Sequence, residues 1–467
     1  MARSIEIPAG AAALLDALER AGLEAYAVGG CVRDSLLGLK PHDWDLCTAA
    51  RSEQMKAALA GLGCTFLDTG VKHGTVTVLF QGESYEVTTF RVDGPYSDAR
   101  HPDSVTFSPR LEDDLARRDF TVNAMAYSAR RGLVDPFGGE NDLRRGVISC
   151  VGDPETRLEE DALRILRALR FASTYGFAIA PATARAIHAQ KELLARVAGE
   201  RVREELCRLL LGGSHCLGGS HCLGGSHCRG DAVLDVLLSY SDVLCVPIPE
   251  LAPCVGFDQH SRYHCYDVYE HMARAVAVCS ARDAVTRFAL LLHDVGKPRC
   301  FTQDERGGHF KGHGEAGFEL AGPVLDRLRF DGRRRREILE LVRYHDTPPE
   351  PTPRSVRRWL ARLGPEQTAR LLAVARADAL AHAAWTVPSR LEKLDAAEVL
   401  LREALEERAC FSLKDLAVKG DDLLALGFPE GKRVGEVLNA LLGEVLDGKM
   451  PNERDALIAR ARFFMDF

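Results

Sequence analysis

The sequence predicts an α+β protein: a head of mixed strands and helices over residues 1–151, then helices almost to the C-terminus. Three observations lead there. Apolar residues recur at helical spacing over residues 10–21. Thr75–Phe80 and Ser84–Phe90 are strand-like runs that meet at the turn pair Gln81-Gly82. From Asp153 onward the chain becomes Ala-, Leu- and Arg-rich, with helical periodicity and few strand candidates. The helical part divides into a neck over 152–240, a further domain over 241–400 and a tail over 401–467.

The net charge of −7 gives no overall basic signal, so contact with nucleic acid has to rest on local patches. Such patches exist. Arg164, Arg167 and Arg170 recur every third residue, Arg201 and Arg203 follow, and Arg333–Arg336 form an unbroken block. That block also suits a solvated helix start, and both readings stand. No run of eighteen apolar residues occurs and the N-terminus lacks an apolar signal core. A cytoplasmic protein with no membrane partner is therefore expected, and no feature calls for an obligate protein partner. The 14 cysteines, most of them single within apolar runs, read as reduced thiols.

The chemistry concentrates first at Val28-Gly29-Gly30-Cys31-Val32-Arg33-Asp34 and His42-Asp43-Trp44-Asp45-Leu46. Paired glycines at a turn let the backbone approach a bulky anion, and Arg33 offers a fork for phosphate oxygens. In extended backbone the side chains of Asp43 and Asp45 fall on one face. Two hard carboxylate ligands side by side suit Mg²⁺ holding a nucleoside triphosphate for in-line transfer.

These residues resemble the nucleotidyltransferase fold of the DNA polymerase β superfamily, in the branch of bacterial tRNA nucleotidyltransferases and poly(A) polymerases. Arg117-Arg118-Asp119-Phe120-Thr121-Val122-Asn123-Ala124, followed by Asp135-Pro136-Phe137-Gly138-Gly139, is similar to that branch's next motif. Glu160–Phe171 is similar to its nucleotide-recognition helix, and Glu200–Leu206 to the helix after it. The resemblance implies that Asp43 and Asp45 carry the catalytic Mg²⁺. It also implies that Gly29, Gly30 and Arg33 line the triphosphate and that Arg117 and Arg118 meet phosphates. Glu86 is either the third acidic group of this site or a surface charge of its strand. The implied activity is template-independent addition of CCA to tRNA 3′ ends from CTP and ATP. The alternatives are an A-adding tRNA nucleotidyltransferase and a poly(A) polymerase.

Within the recognition segment Asp161 and Arg164 stand three apart, a spacing that puts both on one helical face. A carboxylate accepts from the exocyclic amine of cytosine or adenine, and a guanidinium donates to the same edge. Guanine and uracil place a carbonyl where that amine would be. Protein alone can select CTP and ATP in this way; an ordinary i,i+3 salt bridge is the other reading. Arg167 and Arg170 continue the face towards phosphates. Upstream, Arg91–Asp103 reads as a mobile loop from its Gly, Pro and small polar residues. In the family an intact loop accompanies addition of the terminal A, which argues against a CC-only enzyme. Residues 211–228 repeat Leu-Gly-Gly-Ser-His-Cys three times without change, as tandem duplication of an eighteen-base unit would produce. They read as a flexible insertion, or as soft-metal ligands at a spacing that matches no usual zinc pattern.

A second constellation follows. His271, then His293-Asp294 ahead of Gly296-Lys297-Pro298, then His313, His345 and Asp378 fall on successive expected helices. Together they offer nitrogen and oxygen donors for a divalent metal. The pattern resembles the HD phosphohydrolase domain. It implies His271, His293, Asp294 and Asp378 as ligands of a transition metal (Ni²⁺, Mn²⁺ or Co²⁺), with His313 and His345 nearby. It also implies hydrolysis of phosphomonoesters or 2′,3′-cyclic phosphates. A chain that is mainly an HD phosphohydrolase acting on RNA ends is the reading from a different class. Val418–Glu436 resembles the C-terminal module of HD-containing bacterial tRNA nucleotidyltransferases. Its Gly427, Gly431 and Gly435 either hold RNA phosphate or form a plain connection between helices.

Overall fold

The computed structural model describes residues 5–70, 73–94, 104–212, 229–305, 307–407 and 409–465. Most of the loop expected over Arg91–Asp103, and nearly all of the hexapeptide repeats, lie outside the described residues. No helix among these residues is long and apolar enough to cross a membrane. The chain divides into two compact units, residues 1–249 and 250–467.

The first unit contains β1 (Ala25–Val28), β2 (Leu46–Thr48), β3 (Thr65–Gly70), β4 (Thr75–Phe80) and β5 (Glu83–Thr89). A short ribbon follows, β6 (Arg91–Asp93) with β7 (Val105–Phe107), then β8 (Ala126–Ser128) and β9 (Gly132–Val134). Seven strands form one sheet in the order β3-β4-β5-β2-β1-β8-β9. It is antiparallel throughout, except that β2 runs parallel to β5. The expected hairpin is β4–β5. Phe80 pairs with Glu83 across Gln81 and Gly82, which take φ of 52° and 83°. Two-residue hairpin turns need that positive φ. Val76, Val78, Tyr85 and Val87 point inward, at every second position. The helix expected over residues 10–21 is Ala9–Arg20, whose Leu14 and Leu18 are buried.

Val147–Ile148 pairs in parallel with Ala178–Ile179 and stitches the head to the helices after it. Helix Leu163–Tyr175 packs on Gly199–Leu211 and on Arg229–Ser239. The second unit is helical from Val268–Val278 to Arg454–Arg462. Asp267, Asp283, Asp331 and Thr352 each accept a hydrogen bond from the backbone N–H three residues on, which fixes where four of its helices start. One hairpin there, Thr302–Asp304 with Gly307–His309, escapes the sequence reading, because three-residue strands carry no period. The tail closes its own core around Leu416, Val418, Leu423, Phe428, Val437 and Leu457.

Candidate functional site

Asp43, Trp44 and Asp45 form the extended lead-in to β2, and the Asp45 carbonyl accepts from the Val28 N–H of β1 (3.0 Å). Trp44 is buried while Asp43 and Asp45 stay exposed, so the pleat sends both carboxylates to the open face. Leu46 pairs with Val87 in the parallel register, and one step earlier that register sets Glu86 beside Asp45. Glu86 is exposed as well. Partial burial and then the Glu86 carboxylate hold the Asp45 pKa above the usual carboxylate range; Arg118 opposes and Asp43 adds to the rise. Uncompensated negative charge on oxygen ligands fits a hard divalent cation. The head carboxylates nevertheless form no tight donor cluster among the described residues.

Gly29 ends β1 with φ 81° and donates to the Met125 carbonyl. A Cβ at Gly29 would sit 2.8 Å from Arg118 Nη1, so glycine is required twice over. Gly30 begins the helix Gly30–Leu36. Behind this turn the arginines are held by local and distant partners. Asp114, fully buried, holds Arg117 (2.9 Å) and Arg118 (3.2 Å). Arg33 is buried: it donates to Asn123 Oδ1 (2.6 Å) and Asp34 Oδ1 (2.9 Å), and lies over Phe171 and Tyr175. The structure thus ties Arg33 to the helix Leu163–Tyr175 rather than leaving it free.

Arg167 grips Asp119 through Nε (2.8 Å) and Nη2 (2.5 Å), and Arg170 pairs with buried Glu205 (2.7 Å). Burial works to raise the Asp119 pKa, but Arg167 and the Asn123 amide hold it below the usual range. A depressed pKa contributes stability above the unfolded value of about 3.9, lost only as pH falls through the folded value. Asp119→Ala should therefore destabilise the protein by about 3 kcal/mol. The loss should be equal at pH 7 and pH 5 in denaturant titrations; a stability like wild type would show that the pair carries no weight.

The recognition segment is not one helix. Pro154–Glu160 ends, Asp161 is extended (φ −142°), and a new helix starts at Leu163. The Asp161 carboxylate accepts from the Leu163 N–H (3.1 Å) and from Arg201 (3.0 Å), so capping and a partner forty residues away override helix continuity. Arg164, buried, donates to Glu160 (2.6 Å) and to the Arg157 and Arg117 carbonyls. Asp161 and Arg164 are thus not paired with each other, contrary to the salt-bridge reading.

In the second unit the expected residues converge. His271 Nε2 lies 2.9 Å from Asp378 Oδ1 and 3.4 Å from Asp294 Oδ2, and His293 Nε2 is 3.4 Å from both. The other Asp294 oxygen, Oδ1, is 3.4 Å from His313 Nε2 and from His345 Nε2, which are 3.0 Å apart. One carboxylate therefore joins two donor sets. The Nδ1 atoms of His293, His313 and His345 each face a backbone carbonyl at 2.8 Å. That contact fixes the Nδ1–H tautomer and turns the Nε2 lone pairs inward, the arrangement of metal-ligating histidines. His293 Nε2 and both Asp294 oxygens are buried without a hydrogen bond, although Lys297 Nζ pairs with Asp294 at 2.6 Å. Converging, unsatisfied lone pairs fit a cation. Burial lowers the His293 pKa, yet the Asp294 and Asp378 carboxylates push it up to about 10, so a cation would take the Nε2 position by displacing a proton.

Sequence reasoning missed what several residues here do. Asp114, three and four residues ahead of Arg117 and Arg118, was legible as a helical ion pair. Asn123 and Arg201 act across long separations and carry no local signal. His264 and His382 complete a third donor group with His271.

Known families match four stretches of the chain. The Poly A polymerase head domain covers residues 25–149 and the HD domain 262–383. A tRNA nucleotidyltransferase domain 2 covers 377–461, and the probable RNA and SrmB-binding site of polymerase A covers 176–215. The CCA-adding enzyme of Lactobacillus delbrueckii subsp. bulgaricus is 49% identical over 210 residues, 45% of this chain and 52% of that protein. That of Lactobacillus helveticus is 49% identical over 199 residues, 43% and 49% of the two chains. The chain thus spans about half the length of the curated relatives it matches. The crystal structure of the Bacillus stearothermophilus CCA-adding enzyme in complex with CTP aligns over 99% of this chain and 98% of its own, at 30% identity and TM-score 0.72. The Thermotoga maritima CCA-adding enzyme complexed with tRNA shares the fold at 20% identity, over 97% and 94%, with TM-score 0.57.

Proposed function

The chain belongs to the family of CCA-adding enzymes, and from that membership we propose that it extends tRNA 3′ ends with CTP and ATP, without a template. The observation that carries the reading is the open-faced set of Asp43, Asp45 and Glu86 beside the Gly29 turn and Arg118. Asp43, Asp45 and Glu86 are oxygen donors suited to Mg²⁺, which when bound neutralises the triphosphate and acidifies the attacking 3′-hydroxyl. Arg118, with Arg117 behind it, supplies positive charge beside that face, and the Gly29-Gly30 turn keeps it clear of side chains. Arg33, held by Asn123 and lying over Phe171 and Tyr175, and Arg167, gripping Asp119, position the helix Leu163–Tyr175 against the head, while Arg170 ties that helix to Gly199–Leu211 through Glu205. Asp161 then accepts from the exocyclic amine of cytosine or adenine, and Arg164 donates to the same base edge. Because Arg201 holds the first and Glu160 the second, neither neutralises the other.

The test offers purified protein three tRNAs, ending before CCA, after C and after CC, with CTP and ATP separately. Sequential addition of C, C and A supports the reading; addition of A alone to the CC-ending tRNA makes it an A-adding enzyme, and long A tracts a poly(A) polymerase. Selection has its own check. Asp161→Ala should lose discrimination against UTP and GTP by about 10- to 100-fold while chemistry persists. Asp161→Asn keeps an acceptor for the Leu163 N–H and separates capping from recognition. Strict CTP/ATP selectivity in both variants would make this residue purely structural.

The second unit supports a separate reading as a phosphohydrolase of phosphomonoesters or 2′,3′-cyclic phosphates. His271, His293, Asp294 and Asp378, with His313 and His345, would hold a transition metal such as Ni²⁺, Mn²⁺ or Co²⁺, which activates water for attack at phosphorus. Lys297, held by Gln259 (2.8 Å), adds a fixed, buried positive charge directly against Asp294.

A further inference from the structure

On the second unit, helix Gly332–Tyr344 and helix Pro353–Leu363 flank a groove of about 280 Å³, lined chiefly by Phe318, Arg336, Leu339, Arg343, Tyr344 and Arg362. With Arg335 it holds four arginines against one carboxylate, Glu340. Two of the arginines are committed: Arg335 to Asp326 (2.6 and 3.0 Å) and Arg343 to Glu315 (2.7 Å). Glu340 accepts from the Gln367 amide (3.2 Å). Arg336 and Arg362 are exposed; Arg336 acts on Glu340 only across space, lowering its pKa against the effect of burial, and neither arginine closes an ion pair among the described residues. Arg362 lies over the Tyr344 ring (4.5 Å) and near Trp359 (5.4 Å), and Arg343 over Phe318 (5.2 Å). A guanidinium resting on an aromatic ring is pre-oriented, and its edge N–H groups remain open to an anion.

We propose that this groove docks an RNA strand, with Arg336 and Arg362 on backbone phosphates and an unpaired base stacked on the Arg362–Tyr344 pair. Exposed cations and stacking surfaces on one face are what single-stranded RNA recognition uses. The volume lies near the lower end, about 300 Å³, of pockets that enclose a small ligand. It suits one nucleotide of a chain that continues across the surface. The inference rests on the reading that the protein acts on tRNA.

The test is the double variant Arg336→Gln with Arg362→Gln in the full chain, titrated with fluorescent tRNA lacking CCA between 50 and 200 mM salt. Both residues are exposed, and equal melting temperatures verify the fold. Affinity should fall about tenfold and the salt slope should shrink by about 1.4, because each contact to a single-strand phosphate contributes about 0.7. Nucleotide addition at saturating tRNA should not change. Wild-type affinity and slope in the variant would overturn the groove. Displacement of tRNA by equimolar AMP would overturn it too, making it a free-nucleotide site. If the wild-type chain neither bound nor extended tRNA, both readings would fall; if it did both and the variant matched it, the groove alone would.

Discussion

Alanine in place of Asp45 should stop incorporation of both CTP and ATP, lowering kcat by about a thousandfold or more, roughly 4 kcal/mol of barrier. The size follows from the chemistry of phosphoryl and nucleotidyl transfer, where positioning and charge neutralisation supply nearly all the catalysis. The fold should survive. Asp45 is exposed, and partial burial with its neighbours Glu86 and Asp43 raises its pKa. A carboxylate whose folded pKa lies above its unfolded value costs stability at neutral pH, and that cost fades as pH falls through the folded pKa and is gone below the unfolded one. Asp45→Asn should therefore keep the melting temperature at pH 7 or raise it, while activity disappears. An inactive variant that melted earlier would assign Asp45 to the scaffold, and an active one would remove it from the site.

His293→Ala combined with Asp294→Ala should abolish phosphatase and cyclic phosphodiesterase activity and leave nucleotide addition within about twofold. Asp294 joins both donor sets, so its loss should silence either one. It also pairs with buried Lys297, which the double variant leaves without a carboxylate. His293→Ala alone keeps that pair and serves as the control for folding. The pH behaviour has a definite sign. Burial works against it, yet Lys297 and His293 hold Asp294 well below its ordinary value. Its stabilisation is thus present above the unfolded pKa and is lost as pH falls through the folded one. Asp45→Ala should leave hydrolysis untouched. Addition and hydrolysis assays, each with Mg²⁺ and then with Mn²⁺ or Ni²⁺, separate the activities. Loss of nucleotide addition in a folded His293→Ala variant would refute two independent sites.

Much of this was legible in the residues. The β4–β5 hairpin is written in two β-rich runs and a Gln-Gly turn, and the Asp43/Asp45 pair in the period of two. The histidine and aspartate donors were readable because each type has few other buried uses. The arginines were not. Arg33 looks like a free phosphate fork in sequence, and only folding brings Asn123, ninety residues away, against it. The break at Asp161 was hidden because Glu-Glu-Asp-Ala has no helix breaker, while the arginine that holds the carboxylate lies forty residues on. The block Arg333–Arg336 carried both of its readings at once. Arg333, Arg334 and Arg335 pair with neighbouring acids as a solvated helix start would, and Arg336 turns to the groove.

The alternation of Asp43, Trp44 and Asp45 has a consequence for heredity. Residues 211–228 hold three identical six-residue units, as in-frame duplication of eighteen bases would leave them. At the lead-in to β2, losing a single codon would be of another order. Without Trp44 the two aspartates become adjacent, and the pleat sends one of them inward, into the space the indole fills now. The head would lose its anchor and one of its two open-face carboxylates in one event. Substitution can explore that stretch one side chain at a time, whereas changes of length cannot pass through it, so the reading frame of three residues is as much a part of the site as the carboxylates themselves.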